Sequence, residues 1–349
     1  MKIIHCADIH LGSRMNKFPE EKRAVRAREI RASFERLISY AKGEGITSIL
    51  ISGDLFDSDR PSRRDKEFFY GAVKNNADIT FYYLRGNHDG KESYTEEIEN
   101  LKTFGRDWTV YPLGGNVVVC GIEPDKNNCI SMYSTLNLAP ENVNIVMLHG
   151  EVDESAGEWK ISLNRLKNKN IDYLALGHIH AQGEKRIDDR GIAVFCGCLE
   201  GRGFDECGKK GCMVYDTDLK KVSFVPFVCR TVEERTLDIS DTHDVYGIVA
   251  KVKSETDIDP DNLLRLNLAG EIDYGYVGLE KDVQKYIEEI CWFVSVKDNT
   301  RLKIDFSALG GSPSLKGEFI RTVSGEDMDE ETRQKILNLG IKALMGQVD

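Results

Sequence analysis

Ile46-Thr47-Ser48-Ile49-Leu50-Ile51-Ser52-Gly53-Asp54-Leu55-Phe56-Asp57 is a mostly apolar run that breaks at a glycine followed by an acid. Apolar residues without helical spacing predict a short buried strand over Ile46 to Ser52, so Asp54 falls just beyond its C-terminal edge. The pattern recurs along the chain. Lys2-Ile3-Ile4-His5-Cys6-Ala7 runs into Asp8-Ile9-His10, and Thr80 to Leu84 runs into Arg85-Gly86-Asn87-His88-Asp89. Asn144 to Leu148 ends in His149-Gly150, and Tyr173 to Leu176 ends in Gly177-His178-Ile179-His180. A further strand is expected at Asn116 to Gly121. Helical spacing of Val25, Ile30, Phe34, Leu37, Ile38 and Ala41 predicts a helix from about Lys22 to Glu44 with a basic outer face. Gly43 and Gly45 stop it, and a second helix is expected from about Arg63 to Asn75. Strands alternating with helices, with polar clusters at the strand ends, describe a layered α/β fold whose loops converge above the sheet.

After about Val228 the texture changes. A strand (Thr231 to Ile239), a helix opened by Asp241 or Thr242, a strand (Leu263 to Ala269), a helix (about Leu279 to Trp292) and a strand (Val294 to Phe306) predict a smaller α/β domain over 229–322. The tail, 323–349, carries Ile336, Leu337, Ile341 and Leu344 on one helical stripe after an acidic first turn. A chain of 349 residues, 41% hydrophobic, can build a core in each part. The net charge of −11 argues against coating nucleic acid or a membrane by bulk electrostatics, though a local basic groove stays compatible with it. Nine cysteines at irregular spacing do not form a disulfide framework, and Cys196, Cys198, Cys207 and Cys212 lack the spacing of a zinc ribbon or finger. No charged-then-apolar leader precedes the first strand and no apolar stretch approaches membrane-spanning length, so a cytoplasmic protein is expected.

The strand-end loops hold Asp8, His10, Asp54, Asn87, His88, His149, His178 and His180, which are oxygen and imidazole donors suited to borderline divalent cations. Five of the chain's seven histidines sit in them. One cation cannot use eight donors, but two cations about 3.5 to 4 Å apart can share them through a bridging carboxylate. Asp54 is the expected bridge. Such a pair acidifies a bound water and neutralises charge on phosphate oxygens, which is what phosphoester hydrolysis needs.

Asp8-Ile9-His10, Gly53-Asp54-Leu55-Phe56-Asp57, Gly86-Asn87-His88-Asp89, His149-Gly150 and Gly177-His178-Ile179-His180 resemble the five ordered motifs of the calcineurin-like metallophosphoesterases. Within that superfamily, Ile4 to Gly12 and Gly53 through Arg60-Pro61-Ser62 resemble the SbcD-type DNA repair nucleases of bacteria and the related recombination-repair nucleases of archaea and eukaryotes. The resemblance implies a four-layer α/β/β/α domain over 1–228 followed by a smaller α/β capping domain. It assigns Asp8, His10, Asp54 and His180 to one metal, Asp54, Asn87, His149 and His178 to the other, and His88 to the leaving group or scissile phosphate. Two divalent ions are expected, manganese first, with magnesium, iron or zinc as alternatives. The implied reaction is hydrolysis of DNA phosphodiesters at duplex ends. The implied assembly is a homodimer with an SMC-type ATPase of the SbcC kind, necessarily a separate chain because no Gly-x4-Gly-Lys-[Ser/Thr] loop occurs here.

Asp57 and Asp89 are expected to orient His88 or a metal ligand, or else to cap turns. Arg85 and Arg202 are candidate phosphate or DNA contacts. Arg85 also resembles the arginine that protein phosphatases carry before the same motif, which keeps a phosphoprotein or small-molecule phosphatase open as the second reading. A DNA-end-binding scaffold with a weak centre is the third. Arg14, Lys17, Lys22, Arg23, Arg26, Arg28, Arg31, Arg36, Arg60, Arg63 and Arg64 either track a phosphate backbone or form ordinary charged faces.

Overall fold

The computed structural model describes residues 1–90, 93–94, 96–272, 278–303 and 310–344. The chain divides into two compact units, Met1–Thr231 and Val232–Asp349. The first opens with β1 (Lys2–Cys6), α1 (Glu20–Gly43), β2 (Ser48–Ser52), α2 (Arg63–Lys74), β3 (Thr80–Leu84) and β4 (Leu101–Thr103). It continues through β5 (Thr109–Gly114), β6 (Val117–Gly121), α3 (Met132–Thr135), β7 (Val143–His149), β8 (Glu151–Val152), β9 (Lys160–Ile161) and α4 (Leu163–Leu166). It closes with β10 (Tyr173–Gly177), β11 (Gly183–Arg186), β12 (Ile192–Phe195), β13 (Gly211–Asp216) and β14 (Lys221–Pro226).

Twelve of these strands build two six-stranded sheets, ordered β14-β13-β1-β2-β3-β4 and β11-β12-β10-β7-β6-β5, and β8 pairs with β9 alone. The strands that lead into the polar loops pair in parallel, so their carboxyl ends share one edge of each sheet. Antiparallel β13 extends the first sheet, with Ile4 opposite Val214.

The period-two geometry of a strand sorts its residues between two cores. In β7, Ile145 and Met147 join Ile3, Leu50, Tyr82 and Tyr173 between the sheets. Val146 and Leu148 face the other way, among Met132, Tyr133, Leu163 and Leu166 of α3 and α4. On the outer side of the first sheet, the Phe34 ring of α1 lies 6.1 Å from Phe69 of α2 and 6.4 Å from Phe81 of β3. Helix, sheet, sheet and helix therefore form four layers. Burial on both faces is why these strands read as continuous apolar runs.

The basic outer face expected for α1 is corrected at Arg26, whose side chain is fully buried. Its guanidinium donates to Glu200 Oε1 at 2.8 Å and also to Glu29 and the Gly201 carbonyl. A buried cation is tolerable only with this compensation. Arg31 pairs with Asp65 at 2.7 Å, and Arg36 donates to Ser33 Oγ at 2.9 Å.

The second unit holds the parallel sheet β15 (Val232–Asp238), β16 (Leu263–Ala269) and β18 (Phe293–Asp298), with the short pair β17 (Glu271–Ile272) and β19 (Arg301–Leu302). Helices α5 (Val245–Glu255), α6 (Leu279–Ile287), α7 (Leu315–Ser324) and α8 (Glu330–Leu344) complete it. Asp244, and not Asp241 or Thr242, opens α5: its side chain accepts from Gly247 N at 2.7 Å, while Thr242 Oγ1 bonds back to Ile239 O. Ile320, Val323, Leu337 and Ile341 enter the same core as Leu266 and Val294, so the tail helix, whose apolar stripe suits either its own chain or a partner, packs within this unit. The expected strand continuing to Phe306 runs outside the described residues from 304 on. Among the described residues, no helix is long and apolar enough to cross a membrane.

Candidate metal centre

All five polar loops leave strand carboxyl ends, and the structure brings their side chains together. Asp8, His10 and Asp54 each hold φ near 51°, and His178 holds φ 90°. Non-glycine residues in this region cost of order 1–3 kcal/mol each, so the surrounding structure must hold them there. The first two loops do so by zipping side by side: Asp8 N donates to Gly53 O at 3.0 Å, His10 N to Asp54 O at 3.0 Å and Leu11 N to Leu55 O at 2.8 Å. Two glycines allow the approach of the others. A Cβ on Gly86 would enter the Asp54 carboxylate, and one on Gly177 would strike the Ser52 carbonyl and the His149 ring.

Two groups of donors flank the Asp54 carboxylate, and His10, Asp57 and His88 form a third at the rim. Asp54 Oδ2 stands 3.4 Å from His149 Nε2 and 3.8 Å from His10 Nε2. On one side, Asp8, His10 and His180 converge, and His10 Nε2 faces His180 Nε2 at 3.2 Å. On the other, Asp54, His149 and His178 converge, and Asn87 Oδ1 lies 2.9 Å from both His149 Nε2 and His178 Nδ1. His88 sits at the rim, its side chain 45% exposed and its Nδ1 3.9 Å from Asp57 Oδ1. Its backbone N–H, not its ring, donates to Asp54 Oδ1 at 2.8 Å. Every donor expected from the sequence is at this centre.

The supporting residues are only partly those expected. Asp57 Oδ1 stands 2.9 Å from His10 Nδ1, turning Nε2 of that ring inward. Asp89 serves the backbone: it accepts from Phe56 N at 2.8 Å, Gly86 N at 2.9 Å and Leu55 N at 3.2 Å, tying the second loop to the third. Glu206, which the sequence did not single out, accepts from His180 Nδ1 at 2.7 Å. It sits in an unremarkable Asp-Glu-Cys stretch 26 residues from that histidine, and nothing local marks it. Of the two arginines, Arg85 is engaged by Glu123, with Nε 3.0 Å from both carboxylate oxygens, and stacks 4.5 Å over Tyr94. Arg202 donates to Asp57 Oδ1 and to Glu206 Oε1, each at 2.9 Å. His5 is buried on β1 against Tyr173 OH at 2.8 Å, outside the donor groups.

Burial disfavours charge on both Asp54 and His149, but their mutual attraction outweighs it. Asp54 is held well below the usual carboxylate range, and His149 is pushed up to about 9. Burial pushes Asp8 up to about 6 and His10 down to about 4.

The residues fit divalent cations. His149 Nδ1 lies 2.9 Å from the Ser52 carbonyl, which only accepts, so Nε2 is the nitrogen turned to Asp54, and the proton that Asp54 holds there is the one a cation would displace. His180, donating through Nδ1 to Glu206, turns a bare Nε2 toward His10 Nε2. The facing lone pairs of His10 and His180 repel, and a cation between them would relieve that repulsion.

A family model for the calcineurin-like phosphoesterases matches residues 1–182, the segment that contains all five loops. The chain belongs to that family and is a metallophosphoesterase, an enzyme class that works with divalent metals. More narrowly, it is similar to the DNA double-strand break repair protein Mre11 of Sulfurisphaera tokodaii, 26% identical over 86% of this chain and 82% of that protein. The protein of the same name from Sulfolobus acidocaldarius is 24% identical over 95% of this chain and 93% of its own length. The uncharacterized metallophosphoesterase YhaO of Bacillus subtilis is 27% identical over 60% of this chain and 56% of its own length.

Proposed function

We propose that this protein is a DNA nuclease that hydrolyses phosphodiester bonds at duplex ends during repair. The observation that carries the chemistry is the convergence of two donor groups on the Asp54 carboxylate. Similarity to Mre11 proteins along most of the chain supports DNA as the substrate. Asp8, His10, Asp54 and His180 would hold one cation and Asp54, Asn87, His149 and His178 the other, with manganese the expected ion. When bound, the two cations would acidify a water and neutralise charge on the phosphate. His88, at the open rim beside Asp57, would give a proton to the departing sugar oxygen. By the same similarity we propose a cytoplasmic homodimer that works with a separate SMC-type ATPase.

The phosphatase reading needs Arg85 free to grip a monoester dianion, and Glu123 and Tyr94 hold that guanidinium instead. The manganese-loaded protein is expected to shorten linear duplex DNA and to leave a simple aryl phosphomonoester nearly untouched. Monoester turnover with intact DNA would move the protein to the phosphatase branch.

A further inference from the structure

The geometry points to Arg202 as a positioning residue that clamps the two carboxylates backing His10 and His180, and so sets the metal affinity of the Asp8–His10–His180 group alone. The inference rests on the two-cation reading above. Arg202 leaves the chain on the Gly201-Arg202-Gly203 turn, a place where a phosphate contact was expected, yet its guanidinium points inward with only 18% of its side chain exposed. Nη1 donates to Asp57 Oδ1 at 2.9 Å, and Asp57 stands 2.9 Å from His10 Nδ1. Nη2 donates to Glu206 Oε1 at 2.9 Å, and the same oxygen takes the His180 Nδ1 hydrogen at 2.7 Å. The Arg202 backbone N–H completes the hold on Glu206 Oε2 at 2.6 Å.

One planar fork therefore spans two carboxylates whose histidines turn their Nε2 atoms toward each other. Lysine, a single point charge, cannot reproduce that bidentate span. The loop is anchored from behind as well. Glu200, two residues earlier, accepts from buried Arg26 at 2.8 Å, from Ser33 Oγ at 2.6 Å and from Cys229 N at 2.8 Å.

Among the described residues, the Nδ1 atoms of the other donor group have no carboxylate behind them. His149 leans on the neutral Ser52 carbonyl, and His178 Nδ1 turns toward Asn87. A carboxylate behind an imidazole fixes its tautomer and raises its basicity, and losing such a partner typically weakens metal binding about 10- to 100-fold. Loss of the clamp should thus separate two affinities within one centre.

The test titrates manganese into the metal-free protein by calorimetry and, in parallel, measures the salt dependence of duplex DNA binding in chelator. In Arg202→Ala, one of the two ions should bind about 10- to 100-fold more weakly and the other as in the unaltered protein. The slope of DNA affinity against salt should not change. Glu206→Gln, which keeps the shape of the side chain, should reproduce the selective loss if Arg202→Ala folds poorly. Arg202→Lys should restore only part of it. Two undisturbed ions in these variants, with a salt slope lower by about one unit, would make Arg202 a phosphate contact and overturn the clamp. Failure of the unaltered protein to bind two ions would instead sink the two-cation reading, and the clamp with it.

Discussion

Replacing Asp54 with alanine should empty the centre of both cations at once, and duplex DNA should survive incubation with the variant. The carboxylate stands between the two donor sets, 3.4 Å from His149 Nε2 and 3.8 Å from His10 Nε2. A ligand that serves one cation would leave the other in place, whereas a bridge serves both. The substitution also strands His149, a buried imidazole whose pKa Asp54 lifts to about 9. Removing one partner of a buried ion pair commonly costs about 3–5 kcal/mol, so the metal-free variant should melt earlier unless His149 gives up its proton. Asp54→Asn keeps the volume and separates these effects. Metal analysis of the dialysed variants reads the result, and two ions retained per chain would remove Asp54 from the bridging role.

His88→Ala should do the opposite, keeping the metals and losing the chemistry. The ring stands at the rim with 45% of its side chain exposed, edge-on to the His10 ring at 5.0 Å, and the one hydrogen bond that ties His88 to Asp54 is a backbone N–H that alanine preserves. Positioned proton donors contribute about 10²- to 10⁴-fold, and a loss in that range is expected on DNA with manganese content unchanged. A variant that loses metal in proportion to activity would make His88 a ligand.

Much of the centre is legible from residue order because its donors lie in short loops at the ends of apolar strands. The reach of Asp54, Asn87 and the histidines toward each other follows from parallel strands ending at one edge. Glu206 and Arg26 were not legible in this way. Their roles depend on partners 26 and 174 residues distant, and a buried Arg26 shares its helical stretch with arginines that face outward. The division into two sheets was supplied by family resemblance, because a strand buried on both faces reads the same wherever its sheet packs. β13 and β14 escaped notice for a related reason. β13 joins the first sheet beside β1, more than 200 residues upstream, and no local turn signal announces that pairing. Asp89 was expected near His88 chemistry or at a turn, and the structure gives it backbone donors from two loops.

The central claim is that these loops hold a pair of cations around Asp54. Anomalous scattering from manganese-soaked crystals tests it most directly. Two peaks about 3.5 to 4 Å apart, one beside Asp8, His10 and His180 and one beside Asn87, His149 and His178, both touching Asp54, are the expected result. A single peak, or two peaks that do not share Asp54, would contradict it.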